Sequence, residues 1–141
     1  MMQSAPMPSI GIDLVEVERF KAWHLYTRQQ LRRVFSVQEI EHCCAIRAKS
    51  AERFAVRFAA KEALFKALAR YGRGNTSLLA ILPNAEVVVG PSGAELYVEW
   101  DGLTAFYNLP TSPMAIQFSL SHTNTTACAV VFLYNFAAPT D

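Results

Sequence analysis

Glu62 and Lys66 stand four residues apart in a stretch that contains neither glycine nor proline. A helix there would bring them to one side, one turn from each other. Phe58 precedes Glu62 by four positions, so that side lies only about 40° around the axis from an apolar stripe. A carboxylate and an ammonium at such an edge are poorly hydrated and need partners. They could simply pair with each other, which stabilises a helix by about 0.2–0.5 kcal/mol. They could also serve a ligand. Asp13 offers a second carboxylate from a different element. Two such oxygen ligands suit a Mg²⁺ ion, which keeps waters and takes its remaining ligands from a phosphate. Arg57, Lys61 and Lys66 add positive charge along the same run, fitting an anion with several phosphates. Ser119-Leu-Ser121-His122-Thr123 gathers hydroxyls and an imidazole at a strand end, where they could hold a phosphate. Taken singly, a histidine there is an ordinary exposed turn residue.

The elements that must position these groups are legible in the periodicity. Residues 1–8 carry two prolines and little pattern, and read as a loose arm before a single domain at 9–141. Ser9 to Val17 alternates as a strand. Ile10, Ile12 and Leu14 share one face, Gly11, Asp13 and Val15 the other, and the Ile, Leu and Val content suggests a central strand. A helical pattern runs from Val17 to about Trp23, followed by the basic stretch Arg28 to Arg33. Ser36-Val-Gln-Glu39 reads as a capping box that opens a helix to about Ile46. Ser50 can cap the longest helix, Ala51 to Tyr71, with Gly72 where a C-terminal glycine belongs. Its alanines at 55, 59, 60, 63 and 67 would let neighbouring backbone approach closely. Beyond Gly72, Val-, Tyr- and Phe-rich runs at 85–89, 95–100, 115–121 and 127–136 read as strands, the last two as an antiparallel hairpin. A strand, a helical middle and closing strands make an α+β pattern, one long helix on a small antiparallel sheet.

Three segments together resemble a known family. Gly11-Ile-Asp13-Leu-Val-Glu16, Arg57-Phe-Ala-Ala-Lys61-Glu62-Ala-Leu-Phe-Lys66-Ala and Ser119-Leu-Ser121-His122 stand in the order of the small 4′-phosphopantetheinyl transferases of the holo-acyl-carrier-protein synthase type. The likeness runs from Ile10 to about Leu133. It departs in the middle. Only Gly72 and Gly74 remain of a glycine-rich loop, and Gly90-Pro91-Ser92-Gly93 replaces the family's later turn. The resemblance implies a 4′-phosphopantetheinyl transferase-like fold and transfer of the arm of coenzyme A to a serine of an acyl carrier protein, with 3′,5′-ADP released. It implies that Asp13 and Glu62 hold Mg²⁺, with Mn²⁺ as an alternative, and that Lys66 neutralises charge on the leaving phosphate. Asp13, Glu62 and Lys66 would then be catalytic. Arg57, Lys61, Lys66, Ser121, His122 and Thr123 would bind coenzyme A. A metal-bound water, Glu62 or Asp13 could take the serine proton. It also implies a homotrimer with sites between subunits, His122 of one chain meeting Asp13 and Glu62 of another.

An acyl carrier protein is acidic, while this chain of 141 residues carries a net charge of +1, so docking needs a local patch. Arg19, Arg28, Arg32 and Arg33 provide one, outside the phosphate cluster. The same arginines admit a small basic nucleic-acid-binding module, but no helix-turn-helix spacing, stacking motif or basic pI supports it. A non-catalytic oligomeric scaffold is the other alternative, and it would leave Asp13, Glu62 and Lys66 without purpose. The composition, 52% hydrophobic and 18% charged, excludes a disordered chain and leaves apolar surface for other copies to cover. No apolar run approaches the roughly 20 residues of a membrane span. Met1 to Ser9 holds no basic residue, and three cysteines, two of them adjacent, fit neither a disulfide framework nor a zinc site. The expectation is a cytoplasmic protein with reduced thiols.

Overall fold

The computed structural model describes residues 8–73 and 76–135, so Gly74 and nearly all of the 1–8 arm lie outside the described residues. Strand β1 is Ser9–Glu16, and 3₁₀ turns follow at Val17–Phe20 and Trp23–Leu25. Helices α1 (Arg28–Leu31), α2 (Val37–Cys44) and α3 (Ser50–Leu68) form the helical middle. Then come α4 (Leu78–Ile81), β2 (Ala85–Gly90), β3 (Gly93–Val98), α5 (Trp100–Leu103), β4 (Met114–His122) and β5 (Thr126–Asn135). This is the expected α+β arrangement, a long helix against small antiparallel sheets. The two short helices α4 and α5 are additions that four-residue patterns do not announce.

Local chemistry accounts for the helix ends. Ser36 Oγ accepts from the Glu39 amide at 3.1 Å, and the Glu39 carboxylate accepts from the Ser36 amide at 2.8 Å, closing the expected box on α2. Thr27 and Gln30 build a second box on α1. At α3 the expectation shifts by one residue: Ser50 is the first helical residue, and its buried hydroxyl has no partner. The α-helix gives way at Leu68 to a 3₁₀ turn over Ala69–Tyr71. Gly72 has φ −66° and so is no left-handed cap. Among the described residues only Gly93 takes a positive φ, 114°, in the two-residue turn joining β2 to β3.

The larger sheet has the order β1–β5–β4, all antiparallel, and β2–β3 is a separate hairpin. β1 is therefore an edge strand and β5 the central one, contrary to the reading from composition. The face of β1 is also the reverse of what its residue types suggest. Gly11, Asp13 and Val15 are buried against α3, whereas Ile10, Ile12 and Leu14 are 66%, 56% and 65% exposed. The register sets Ile10 opposite Phe132, Ile12 opposite Val130 and Leu14 opposite Cys128, so the outer side of the sheet is apolar and uncovered.

The reason is the approach of β1 to α3. A Cβ on Gly11 would lie 1.9 Å from the Ala63 carbonyl oxygen and 2.7 Å from the Ala67 amide nitrogen. Glycine on the strand and alanines on the helix permit this contact, and Ser9 Oγ donates to the Ala67 carbonyl one step away. On its other flank α3 packs into an aromatic cluster of Phe20, Trp23, Phe35, Phe54 and Phe58, with Phe20 and Trp23 centroids 4.6 Å apart.

Candidate functional site

Close packing of β1 on α3 turns Asp13 toward the helix positions of Glu62 and Lys66. Lys66 Nζ donates to Asp13 Oδ1 at 2.8 Å and to the Ile12 carbonyl at 3.0 Å. Asp13 is 6% exposed, and its Oδ2 is buried without a hydrogen-bond donor. Glu62 is half-buried beside it. Burial first, then the charge of the neighbouring Asp13 carboxylate, push the Glu62 carboxyl above its ordinary value, while Lys66 and Arg19 pull the other way. The bond to Asp13 holds the Lys66 ammonium above its own usual value. Arg19 stacks on Phe58, its guanidinium 4.8 Å from the ring centroid, one helical turn before Glu62. The result is two opposed carboxylates, one with an orphaned oxygen, flanked by two cations. A divalent cation that takes few protein ligands fits the carboxylates, and an anion fits the rim.

The other expected residues divide. Lys61 is entirely buried: Nζ donates to Glu39 Oε2 at 2.7 Å and to the Val34 carbonyl at 2.8 Å. Held there, it is an internal partner of Glu39 rather than a surface cation. The 100° step from Glu62 carries it into the core. Glu39 also accepts from the Val87 amide at 2.8 Å, so one buried carboxylate ties α2, α3 and β2 together. Arg57 is buried too, 2% exposed, and donates to the Arg53 carbonyl at 3.1 Å. Its charge and that of Arg53 add to burial in lowering the His42 pKa.

Ser121 and His122 do not form one cluster. The pleat places Ser121 on the outer face with Cys128 and Leu14, and His122 on the inner face. His122 Nδ1 lies 3.9 Å from Glu52 Oε2. Thr123 Oγ1 accepts from the amides of Thr125 and Thr126, shaping the β4–β5 turn. β5 stands between β1 and β4 and the register sets His122 across from Val15, so His122 and Asp13 of one chain are separated by two strand spacings and two residues along the strand, about 12 Å. Of the basic patch, Arg28 and Arg32 flank a groove of about 300 Å³ with Val37, Ile40 and Glu41, and Arg33 is exposed. Arg19 belongs to the rim of the acidic pair rather than to that patch.

A second cleft, of about 640 Å³, went unread in the sequence. Lys21, His24 and Arg47 line it with Val17, Glu52 and Asn124, beside the Glu52 that faces His122. Its basic residues come from three elements, and only the charge of Arg47 just ahead of the long helix could have hinted at it. Among the described residues no group of three or more His, Cys, Asp or Glu side chains is placed to hold a metal. No helix there is long and apolar enough to cross a membrane. No two of the three cysteines are bonded.

A family model described as the 4′-phosphopantetheinyl transferase superfamily matches residues 9–131. The holo-[acyl-carrier-protein] synthase of Treponema denticola is 36% identical over 124 residues, covering 88% of this chain and 95% of that protein. Its counterpart from Geotalea daltonii is 33% identical over 130 residues, covering 87% and 94%. Among solved structures, the Chronobacterium ammoniagenes ACPS–CoA complex is similar with a TM-score of 0.72 at 25% identity, covering 93% of this chain and 99% of that one. The Helicobacter pylori holo-[acyl-carrier-protein] synthase in complex with coenzyme A gives a TM-score of 0.64 at 26% identity, covering 89% and 99%.

Proposed function

The chain belongs to the 4′-phosphopantetheinyl transferase superfamily, and we propose that Asp13, Glu62 and Lys66 are the groups with which it performs that family's reaction. It is a holo-[acyl-carrier-protein] synthase: it transfers the phosphopantetheine arm of coenzyme A to a serine of an apo acyl carrier protein. The serine hydroxyl gives its proton to a base as its oxygen attacks the phosphorus that bears the arm, the bond to the second phosphate breaks, and 3′,5′-ADP departs with the electron pair. There is little covalent work for the protein, so positioning and neutralisation of charge dominate.

The carrying observation is the opposition of Asp13 and Glu62, with Asp13 Oδ2 buried and lacking a donor. These two residues would hold Mg²⁺, or Mn²⁺ in its place, which would supply charge neutralisation at the diphosphate. Lys66 sits where it can neutralise the leaving phosphate, and Arg19 closes the same rim. The cleft of Lys21, His24 and Arg47 receives further phosphate of coenzyme A, replacing Lys61 in that role. Arg28, Arg32 and Arg33 meet the acidic carrier protein.

The uncovered face of Ile10, Ile12 and Leu14, continued by Val130 and Phe132, supports a homotrimer in which copies cover it. The separation of His122 from Asp13 within one chain supports a site completed by a neighbour's His122. Unpaired cysteines are in keeping with a cytoplasmic setting.

Incubation with coenzyme A, Mg²⁺ and an apo acyl carrier protein, followed by mass spectrometry, tests the reading. The carrier gains the arm with the wild-type protein, and Asp13→Asn or Glu62→Gln lowers the rate by at least about a hundredfold, since a neutral amide is a poor Mg²⁺ ligand. Either variant turning over at the wild-type rate in low Mg²⁺ would remove the assignment.

A further inference from the structure

Lys66 and Asp13 differ in how firmly they are held. The Asp13 side chain is 6% exposed on a strand locked against α3, whereas the Lys66 side chain is 50% exposed and reaches in from the helix surface. Its ammonium uses two donors, one on Asp13 Oδ1 and one on the Ile12 carbonyl. A cation between Asp13 Oδ2 and Glu62 would share one carboxylate with that ammonium. Two positive centres within a carboxylate's width repel, and one carboxylate does not neutralise both. The partner free to yield is the lysine, a point charge on a four-carbon stem. The nearest compensation for it is the negative charge of a diphosphate lying over the cation.

Resting on the reading of Asp13 and Glu62 as cation ligands, we propose that Lys66 is a displaceable occupant of the cation site. It holds Asp13 in the coenzyme-free protein and passes to the diphosphate when cation and coenzyme arrive together. The bond broken is Lys66 Nζ to Asp13 Oδ1, and the bond formed is Nζ to a phosphate oxygen, with no proton changing hands. Cation and coenzyme then promote each other's binding by one common factor. The free protein does not leave two bare carboxylates open to whichever divalent ion passes.

The test measures Mn²⁺ binding by calorimetry, with and without coenzyme A and in the absence of carrier protein, so that nothing turns over. Lys66→Met should raise Mn²⁺ affinity of the coenzyme-free protein about fivefold, the strength of a partly exposed ion pair. With coenzyme A bound it should raise it not at all, so the coupling between the two ligands shrinks by that factor. Lys66→Gln keeps donors for Asp13 and Ile12 without the charge; it should show a smaller rise of the same pattern, and it serves if the methionine variant fails to fold. No rise in the coenzyme-free protein overturns the exchange. An equal rise with and without coenzyme A also overturns it, because that marks a through-space effect of charge. Asp13→Asn separates the two layers. If it leaves Mn²⁺ binding unchanged, the cation reading itself falls; if it weakens binding while both Lys66 variants are silent, only the exchange falls.

Discussion

Replacing Gly11 by alanine should damage catalysis more than any other single methyl group added to β1. The new Cβ would stand 1.9 Å from the Ala63 carbonyl oxygen, against ordinary contacts that begin at 3.4 Å. Strand and helix must therefore separate by about 1.5 Å, the difference of those two distances. Both partners are backbone, so no side chain can turn away, and the cost belongs at the upper end of the roughly 1–3 kcal/mol for overpacking. Alanine's smaller unfolded-state entropy returns about 0.4–1 kcal/mol. A net loss near 2 kcal/mol lowers Tm by about 7 °C for a chain of this size. Asp13 lies two residues along the same face, so its distance to Glu62 and Lys66 moves as well. A displacement of about 1 Å costs on the order of a hundredfold in rate. Circular dichroism melts, together with kcat/KM taken well below both melting points, check the two halves separately. Ala63→Gly should not rescue, because the clash is with a carbonyl oxygen. An unchanged Tm, full activity, or rescue by that second substitution would refute the reasoning.

Lys61→Met should destabilise the fold by about 3–5 kcal/mol in chemical denaturation, since it leaves Glu39 charged and buried. Adding Glu39→Gln should recover part of that loss, because the amide oxygen still accepts from Val87. Burial, the largest cause, pushes the Cys43 thiol up to about 12, so at pH 8 only about one molecule in 10⁴ carries the reactive thiolate. A thiol reagent should label Cys44 first and Cys43 only under denaturant; prompt labelling of Cys43 would contradict the burial. Arg33→Glu should raise the KM for the carrier protein alone, an effect that fades with salt. Arg19→Glu should also weaken coenzyme A binding, because Arg19 lies on the rim beside Glu62. Steady-state kinetics that give the same signature for both reversals would undo their separation.

What was legible followed from local geometry. A 3.6-residue period is enough to align Glu62 with Lys66 and to turn alanines toward a close neighbour, and the capping box on α2 needs only four residues. What was not legible depends on contacts far apart in the chain. Lys61 is charged, and charge reads as surface; only Glu39, brought in from 22 positions away, makes its burial tolerable. Composition argues that Ile10, Ile12 and Leu14 face inward. They do not, because the helix demands the side of the strand that carries glycine. Arg19 looked like part of a basic patch until the ring of Phe58 fixed it beside Glu62. The split between Ser121 and His122 was readable from the pleat of a strand, and adjacency in sequence obscured it.

The two-sidedness of β1 has a meaning for how this protein can vary over time. Asp13 and Gly11 answer to α3, while Ile10, Ile12 and Leu14 answer to the sister copies proposed to cover them. Side chains in a strand alternate with a period of two, so slipping the register by a single residue would exchange these two sets entire. Most surface strands have one side on which substitutions drift without consequence. This one has none. Insertions and deletions within Ser9–Glu16 should be absent among working variants, and a saturation scan should find there an unbroken block of intolerance that burial alone would assign to every second position.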